Sequence, residues 1–416
     1  MTINRRRLGQ GDFDLFAAAH ERFIAGKPGG RKLSLKFVDL SGISMARRIL
    51  DDADFSGSVL QNCNMAGARL ERAVLFGCDL RGADLTRARL VRADIRGTCL
   101  QGADLSEANL TQADFREGVI AVPHETRGLS AVRHEARGGL ADGARFLGAT
   151  LDGSRFDGMS ATKADFTDCS MRGANLSGAN LKDADLSGAQ MEGAEVAGTN
   201  LAGARLCGAI LSGVAMETAR LDRTDTTGCI RDPDAAAIAR AEDLYQMALD
   251  ANAWVESGGA LGGAAIFDGE DLRPFGDRLK GLKLSAISAK GACLAGLDLR
   301  GLAMQGAHFE NADLRGTRLS GADLRGSRFA GALMTKVDLT GTDLGPLPLG
   351  RDRSVASNFT GARLRYAELC RADFSGAVMT GADLSGADLT GASLAGADLT
   401  DARLDRAVGL PQADAA

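Results

Sequence analysis

Two His-Glu pairs lie ten residues apart, His124-Glu125 and His134-Glu135, with Arg127, Arg133 and Arg137 beside them. Imidazole next to carboxylate would suit a metal site. A zinc site of the HExxH kind needs its two histidines one helical turn apart, which a separation of ten does not give. The five residues His124, Arg127, Arg133, His134 and Arg137 therefore read as a basic, imidazole-bearing surface for a partner, or as a solvated loop. His20 falls in a helical segment and His308 is expected to face water. There is no nucleophile elbow, phosphate loop or nucleotide fingerprint, and no cysteine pairs with a histidine. The expectation is a protein that is not an enzyme and holds no cofactor or metal.

What must position these residues is unusual. The 416 residues include 54 Gly but one Trp, two Tyr and seven Pro, with 45% hydrophobic residues. A core of small and medium residues, repeated many times, fits that mixture. The formal charge of −5 is small for the length, so no bulk attraction to nucleic acid is implied. No apolar run is long enough to span a membrane. The start, MTINRRRLGQGDFDLF, lacks the apolar stretch of a signal peptide. Eight scattered cysteines without CxxC spacing point to free thiols in a reducing cytoplasm.

The segment GADLSGADLTGASLAGADLT, residues 381–400, places a leucine at every fifth position. On a helix, five residues rotate the side chain by about 140° net, so no face would be buried. In a straight strand an odd spacing sends successive leucines to opposite sides. The chain must instead turn once per five residues. Four such sides close a square coil of twenty residues, and coils stack about 4.8 Å apart. The leucine is the centre of each side and points inward, together with the small residue two before it. Gly often stands two after the centre, as at Gly82, Gly102 and Gly386, where a type II turn needs φ > 0. Arg87, Arg92 and Glu107 in that slot suggest a second turn type. The Asp or Asn before the centre is expected to meet water or to bond across coils. Cys63, Cys78 and Cys169 fall in the inward slot. Cys99, Cys207, Cys293 and Cys370 flank centres and should be more exposed.

The stretches ADLTRARLVRADI (83–95), GANLSGANLKDADLSGA (173–189) and GADLSGADLTGASLAGADL (381–399) resemble the pentapeptide-repeat family, with its consensus A(D/N)LXX. The resemblance implies an all-β solenoid, a right-handed quadrilateral β-helix, here with short capping α-helices. It also brings in a branch of the family that protects DNA gyrase by imitating DNA.

A longer repeat overlies the first. At an offset of 232, Phe23 meets Val255, Gly26 meets Gly258, Gly30 meets Gly262, Leu35 meets Phe267, and Asp39-Leu40 meets Asp271-Leu272. Each stretch follows a helical segment, so the chain reads as a tandem duplication of helix plus solenoid. The second helix is expected to take Asp232 as N-cap, to gather Ile238, Ala241, Leu244, Ala248 and Val255 on one side, and to end at Gly258-Gly259. Such helices hide the exposed end of a coil stack; self-association through helix 233–256 is the other reading.

The expected organisation is a helix and cap at 1–36, repeats at 37–117, an interrupting loop at 118–144, repeats at 145–230 and a helical linker or cap at 231–265. Repeats follow at 266–344, a short interruption at 345–357, repeats at 358–406 and a tail at 407–416. The loop 118–144 loses the five-residue phase; the break at 345–357 keeps it and reads as an irregular coil. Residues 37–117 carry ten basic and twelve acidic residues, and 145–225 eight and eleven, while the first 36 carry eight and three. A DNA imitation needs a dense negative stripe, and here Arg interleaves with Asp. The expected function is a rigid scaffold for a protein partner not identified by the sequence. The alternative is a DNA-mimicking modulator of gyrase or another topoisomerase. Direct nucleic-acid binding is not expected.

Overall fold

The computed structural model describes residues 5–124, 128–350 and 353–410, with backbone alone over 120–137. The chain divides into two compact units, Met1–Asp232 and Pro233–Ala416.

In both units the backbone winds in square coils. Parallel bridges join residues twenty apart along four columns, for example Asn64 to Asp84 to Asp104 and Asp54 to Val74 to Asp94. Residues 83–87 show why the repeat has its composition. The Ala83 N–H closes the preceding turn on the Leu80 carbonyl at 3.0 Å. The N–H groups of Asp84, Leu85 and Arg87 bond to Cys63, Asp104 and Ser106 on the coils below and above. The Thr86 N–H sits at the corner, and the Asp84 carboxylate accepts it at 2.9 Å. All five amides are thereby satisfied, as buried or half-buried backbone requires. The residue before the centre thus works mainly as a local cap, more than as the water-facing or inter-coil group expected from spacing.

Centres and inward slots are fully buried through most of both stacks, as at Ala83, Leu85, Ala88 and Leu90, and open in the last coils, where Leu221 is 37% exposed and Leu394, Leu399 and Leu404 are half-buried. At many inward slots that hold Ser, Thr or Cys, the donor reaches the carbonyl of a centre 23 residues earlier, while Thr98 and Ser154 bond the carbonyl three residues before them. Ser58 bonds Leu35 at 2.7 Å, Cys78 bonds Phe55 at 3.0 Å and Thr317 bonds Leu294 at 2.9 Å. Cys229, at 2.9 Å from the Leu206 carbonyl, belongs to this group as well.

The turn expectation needs one correction. Arg87, Arg92 and Glu107 have φ of 58°, 58° and 61°, alongside 64° at Gly82. One left-handed geometry serves throughout, rather than two turn types. The strain of a side chain there, about 1 kcal/mol, is offset by ladders along the corner: Arg87 pairs with Glu107 at 2.6 Å and Arg92 with Gln112 at 2.8 Å.

Helix α1 (Gln10–Ile24) covers the first coil with Phe13, Ala17 and His20. Helix α2 (Ala235–Glu256) buries Leu244, Ala248 and Ala251 in the second unit. Its N-cap is Asp234, whose carboxylate accepts the Ala237 N–H at 2.8 Å, and not Asp232. Asp232 accepts the Gly213 N–H at 2.7 Å and completes the last coil of the first unit, so the helix begins only after Pro233. Ile238 is 60% exposed, because burial along α2 starts two turns further on, at Leu244. The two helix ends correspond bond for bond at the offset of 232. Ala25, Gly26 and Lys27 donate to Glu21, Phe23 and Arg22; Ser257, Gly258 and Gly259 donate to Ala253, Val255 and Trp254.

Neither interruption breaks its stack. The first is an antiparallel hairpin, β1 (Gly118–His124) with β2 (Gly128–Arg137), rather than an open loop. Below it the ladder spacing is twenty; across it Cys99 bridges Leu140 and Asp114 bridges Arg155, a spacing of 41. Phe115 stacks on Phe156 at 4.4 Å. The repeats on either side of the hairpin are thus one solenoid, which resumes at Leu140 and buried Ala141, before residue 145. Residues 345–357 are not an irregular coil either. They hold a small hairpin, β3 (Leu347–Pro348) with β4 (Ser354–Val355), and the ladder steps by thirty from Arg328 to Asn358.

Candidate interaction surfaces

With backbone and core satisfied internally, chemistry is left to three features: the flat outer columns, the first hairpin and the outer side of α1.

The columns decide the electrostatics. In the first unit one of them reads Ser44, Asn64, Asp84, Asp104, Arg145, Asp165, Asp185, Arg205, Asp225. Arg145 reaches Asp104 at 3.1 Å and Arg205 reaches Asp185 at 3.2 Å. Acidic residues are further neutralised within their own repeat. Where Arg stands two after the Asp that precedes a centre, its backbone N–H and its guanidinium fork both turn back on the carboxylate. Among the described residues this occurs for Asp79–Arg81, Asp94–Arg96, Asp114–Arg116, Asp271–Arg273, Asp298–Arg300, Asp313–Arg315 and Asp323–Arg325. Hydrogen bonds from these arginines hold the carboxyls of Asp79, Asp298 and Asp323 below the ordinary range against their burial. In the second unit Asp323, Asp343 and Asp373 succeed one another, but Arg325 forks onto Asp323 and stands 3.5 Å from Asp343.

The hairpin leaves the solenoid where Gly118 meets the Phe76 ring, over which Arg96 lies at 5.2 Å, and returns where Gly139 meets the Phe115 carbonyl. A Cβ on Gly118 would come within 2.5 Å of Phe76, and one on Gly139 within 2.2 Å of Phe115 oxygen. The backbone register pairs His124 with Gly128, Arg133 with Val122, His134 with Ala121 and Arg137 with Gly118. The side chains of these four residues, and Arg127 altogether, lie outside the described residues. The hairpin therefore brings His124, Arg133, His134 and Arg137 onto one two-stranded ribbon, with no side-chain arrangement to report.

The other titratable groups hold structure. His308 is half-buried, 3.8 Å from Glu310, and does not stand free in water as expected. His20 is fully buried: Leu33 N–H donates to its Nδ1 at 3.0 Å, and its Nε2 lies 2.9 Å from the Asp51 carbonyl. Burial pushes the Cys63 thiol up to about 11 and Cys78 up to about 12, which leaves them unionised and inert. All eight cysteines are free; Cys63, Cys78 and Cys169 are buried, and Cys99, Cys207, Cys293 and Cys370 are half-buried. Among the described residues, no three of His, Cys, Asp and Glu gather as metal ligands. No described helix is long and apolar enough to cross a membrane.

Sequence reasoning missed the outer side of α1. Leu15 is 74% exposed, Phe16 47% and Phe23 45%, beside the buried Phe13, Ala17 and His20. The signal was available: a short helix with apolar residues on two sides can bury only one of them.

A repeat solenoid of four-sided coils, with ladders every twenty residues, is a class of protein defined by its fold. The chain belongs to the pentapeptide-repeat family: the family model for pentapeptide repeats matches over 39–117, 162–228, 292–345 and 357–408. Its fold is that family's right-handed quadrilateral β-helix, with small helical parts. Among solved structures, it is similar to a pentapeptide repeat protein of the Arabidopsis thaliana thylakoid lumen at 28% identity, over 29% of this chain and 66% of that one, just under two thirds, with a TM-score of 0.20. It is also similar to QnrB1, a plasmid-mediated fluoroquinolone resistance protein, at 19% identity over 50% and 90% of the two chains, with a TM-score of 0.22. HetL, involved in heterocyst differentiation regulation in the cyanobacterium Nostoc sp. strain PCC 7120, matches at 19% identity over 93% and 94%, with a TM-score of 0.12. Superpositions this loose add nothing to the repeat match itself. No curated protein matches the chain.

Proposed function

We propose that this chain is a non-enzymatic interaction scaffold, which offers stiff, flat, polar faces and one hairpin to a protein partner. The observation that carries the reading is the set of Asp–Arg forks. They neutralise seven carboxylates within their own repeats, and Arg145 and Arg205 interrupt the column from Asp84 to Asp225, so basic groups are set among the acidic ones over much of these faces. A partner recognised by such a face is matched by shape and hydrogen bonds, and a rigid face loses little entropy on binding. The same observation speaks against imitation of DNA, whose phosphates carry one negative charge per about 1.7 Å of duplex. The hairpin is the proposed contact element, through His124, Arg127, Arg133, His134 and Arg137. Self-association through helix 233–256 would use Ile238 and Met247, the exposed large apolar residues of α2. Eight free cysteines support a reducing, cytoplasmic setting.

The deciding experiment adds the full chain to purified DNA gyrase in a supercoiling assay, beside a variant in which 118–137 is replaced by a short Gly-Ser link. The scaffold reading expects no effect from either. Inhibition that rises with protein concentration and vanishes with the hairpin would overturn it in favour of a topoisomerase modulator.

A further inference from the structure

The N-terminal cap differs in charge from everything that follows. Its first 36 residues hold eight basic and three acidic residues, in a chain of net charge −5. The acidic ones are engaged. Asp12 accepts the Gly9 N–H at 3.3 Å, Asp14 accepts from Gln10 at 3.2 Å, and Glu21 meets Arg48 at 2.9 Å.

Lys36 pairs with Asp54 at 2.8 Å, but four basic residues near the helix end stay outside such pairs. Arg22, Lys27, Arg31 and Lys32 are exposed, and among the described residues they form no ion pair. The backbone sets them around the apolar side of α1. The Lys27 N–H bonds the Arg22 carbonyl at 2.8 Å, which folds the chain back on the helix end. The Arg31 N–H then bonds the Ala19 carbonyl at 3.0 Å, so 30–32 run beside the flank that carries Phe16, Ala19 and Phe23. Gly30 lies against the Phe23 backbone, where a Cβ would come within 2.5 Å.

We propose that this cap docks on an anionic lipid surface, with Leu15, Phe16 and Phe23 entering the headgroup layer and Arg22, Lys27 and Arg31 holding lipid phosphates. An amphipathic helix of this kind binds in the interface plane by combining buried apolar area with attraction to anionic lipid. A second copy of the chain is the poorer occupant, since it would bring like charge against like. The side chains also project from a convex helix, which a fluid headgroup layer accommodates without a matching pocket. The proposal is independent of the scaffold reading, since it uses neither the columns nor the hairpin.

The test is co-sedimentation of the full chain with phosphatidylcholine vesicles, with and without about a quarter phosphatidylglycerol. Two variants run beside it, L15S/F23S and R22E/K27E/R31E, each checked for a native circular dichroism spectrum. Binding is expected only with phosphatidylglycerol, weaker at high salt. It should be lost in the apolar variant and weakened roughly fivefold or more per reversed charge in the other. No pelleting with either vesicle, or equal pelleting with both, would overturn the proposal. So would a concentration-dependent dimer in light scattering that L15S/F23S abolishes while vesicle binding persists.

Discussion

Asn252 stands in the second unit where His20 stands in the first, and each binds the backbone 31 residues further on. His20 Nε2 lies 2.9 Å from the Asp51 carbonyl, and Asn252 Oδ1 accepts the Lys283 N–H at 2.9 Å. Because Leu33 N–H already donates to Nδ1, the imidazole is held neutral with its proton on Nε2. Protonation would set an N–H against an N–H.

Stability of the first unit should therefore depend on pH through His20, and that of the second should not. Burial lowers the His20 pKa from 6.5, partly opposed by the Asp51 carbonyl and by the charges of Asp51 and Asp52, and assisted by Lys32. The unfolded chain then binds the proton more readily than the folded one. The contribution is fully present above about 6.5 and declines as pH falls below it towards the folded pKa. Thermal unfolding between pH 5 and 8 should show the first unit losing stability on the acid side. His20→Asn, which copies the second unit, should flatten that slope; an unchanged slope would refute the assignment.

Gly30 and Gly262 should fail in the same way when given a side chain. A Cβ on Gly262 would lie 2.1 Å from the Asp250 carbonyl oxygen, and its φ is +69°. Both contacts are with backbone, which cannot step aside. Gly262→Ala and Gly30→Ala are each expected to cost about 2 kcal/mol or more, measured by urea denaturation. Gly263→Ala, with nothing within 4 Å, is the neutral control.

Asp84→Ala should cost about 1 kcal/mol, the value of a lost backbone cap. It strands the Thr86 N–H and removes the partner of the Thr86 hydroxyl at 2.7 Å. Asp84→Asn keeps the acceptor oxygen and should cost far less. Equal losses in the two variants would show that charge, and not the cap, is what matters there.

The period of five was legible because it suits neither helix nor straight strand, so the coil and its inward residues followed from Leu positions alone. The reason for Asp at position 84 was not legible. It emerges only when every N–H of residues 83–87 is accounted for, and the sequence does not say which carbonyl each one meets. Arg87 and Glu107 misled for a related reason: glycine preference is local, while the ladder between these two side chains is twenty residues long. The N-cap fell to Asp234 because Asp232 was already engaged by Gly213, a contact across coils. In the hairpin, the Val-containing runs 119–122 and 129–132 were a strand signal masked by Pro123. The contact residues proposed there were chosen by type, and the register places four of them on the two strands.

The Phe115–Phe156 stack passes beneath the hairpin as though the intervening residues were not there. An appendage attached this way can be lengthened, trimmed or exchanged without retuning any coil. Selection can therefore change what the protein recognises while leaving what keeps it folded alone, and a grafted hairpin of foreign sequence should be carried as readily as the native one.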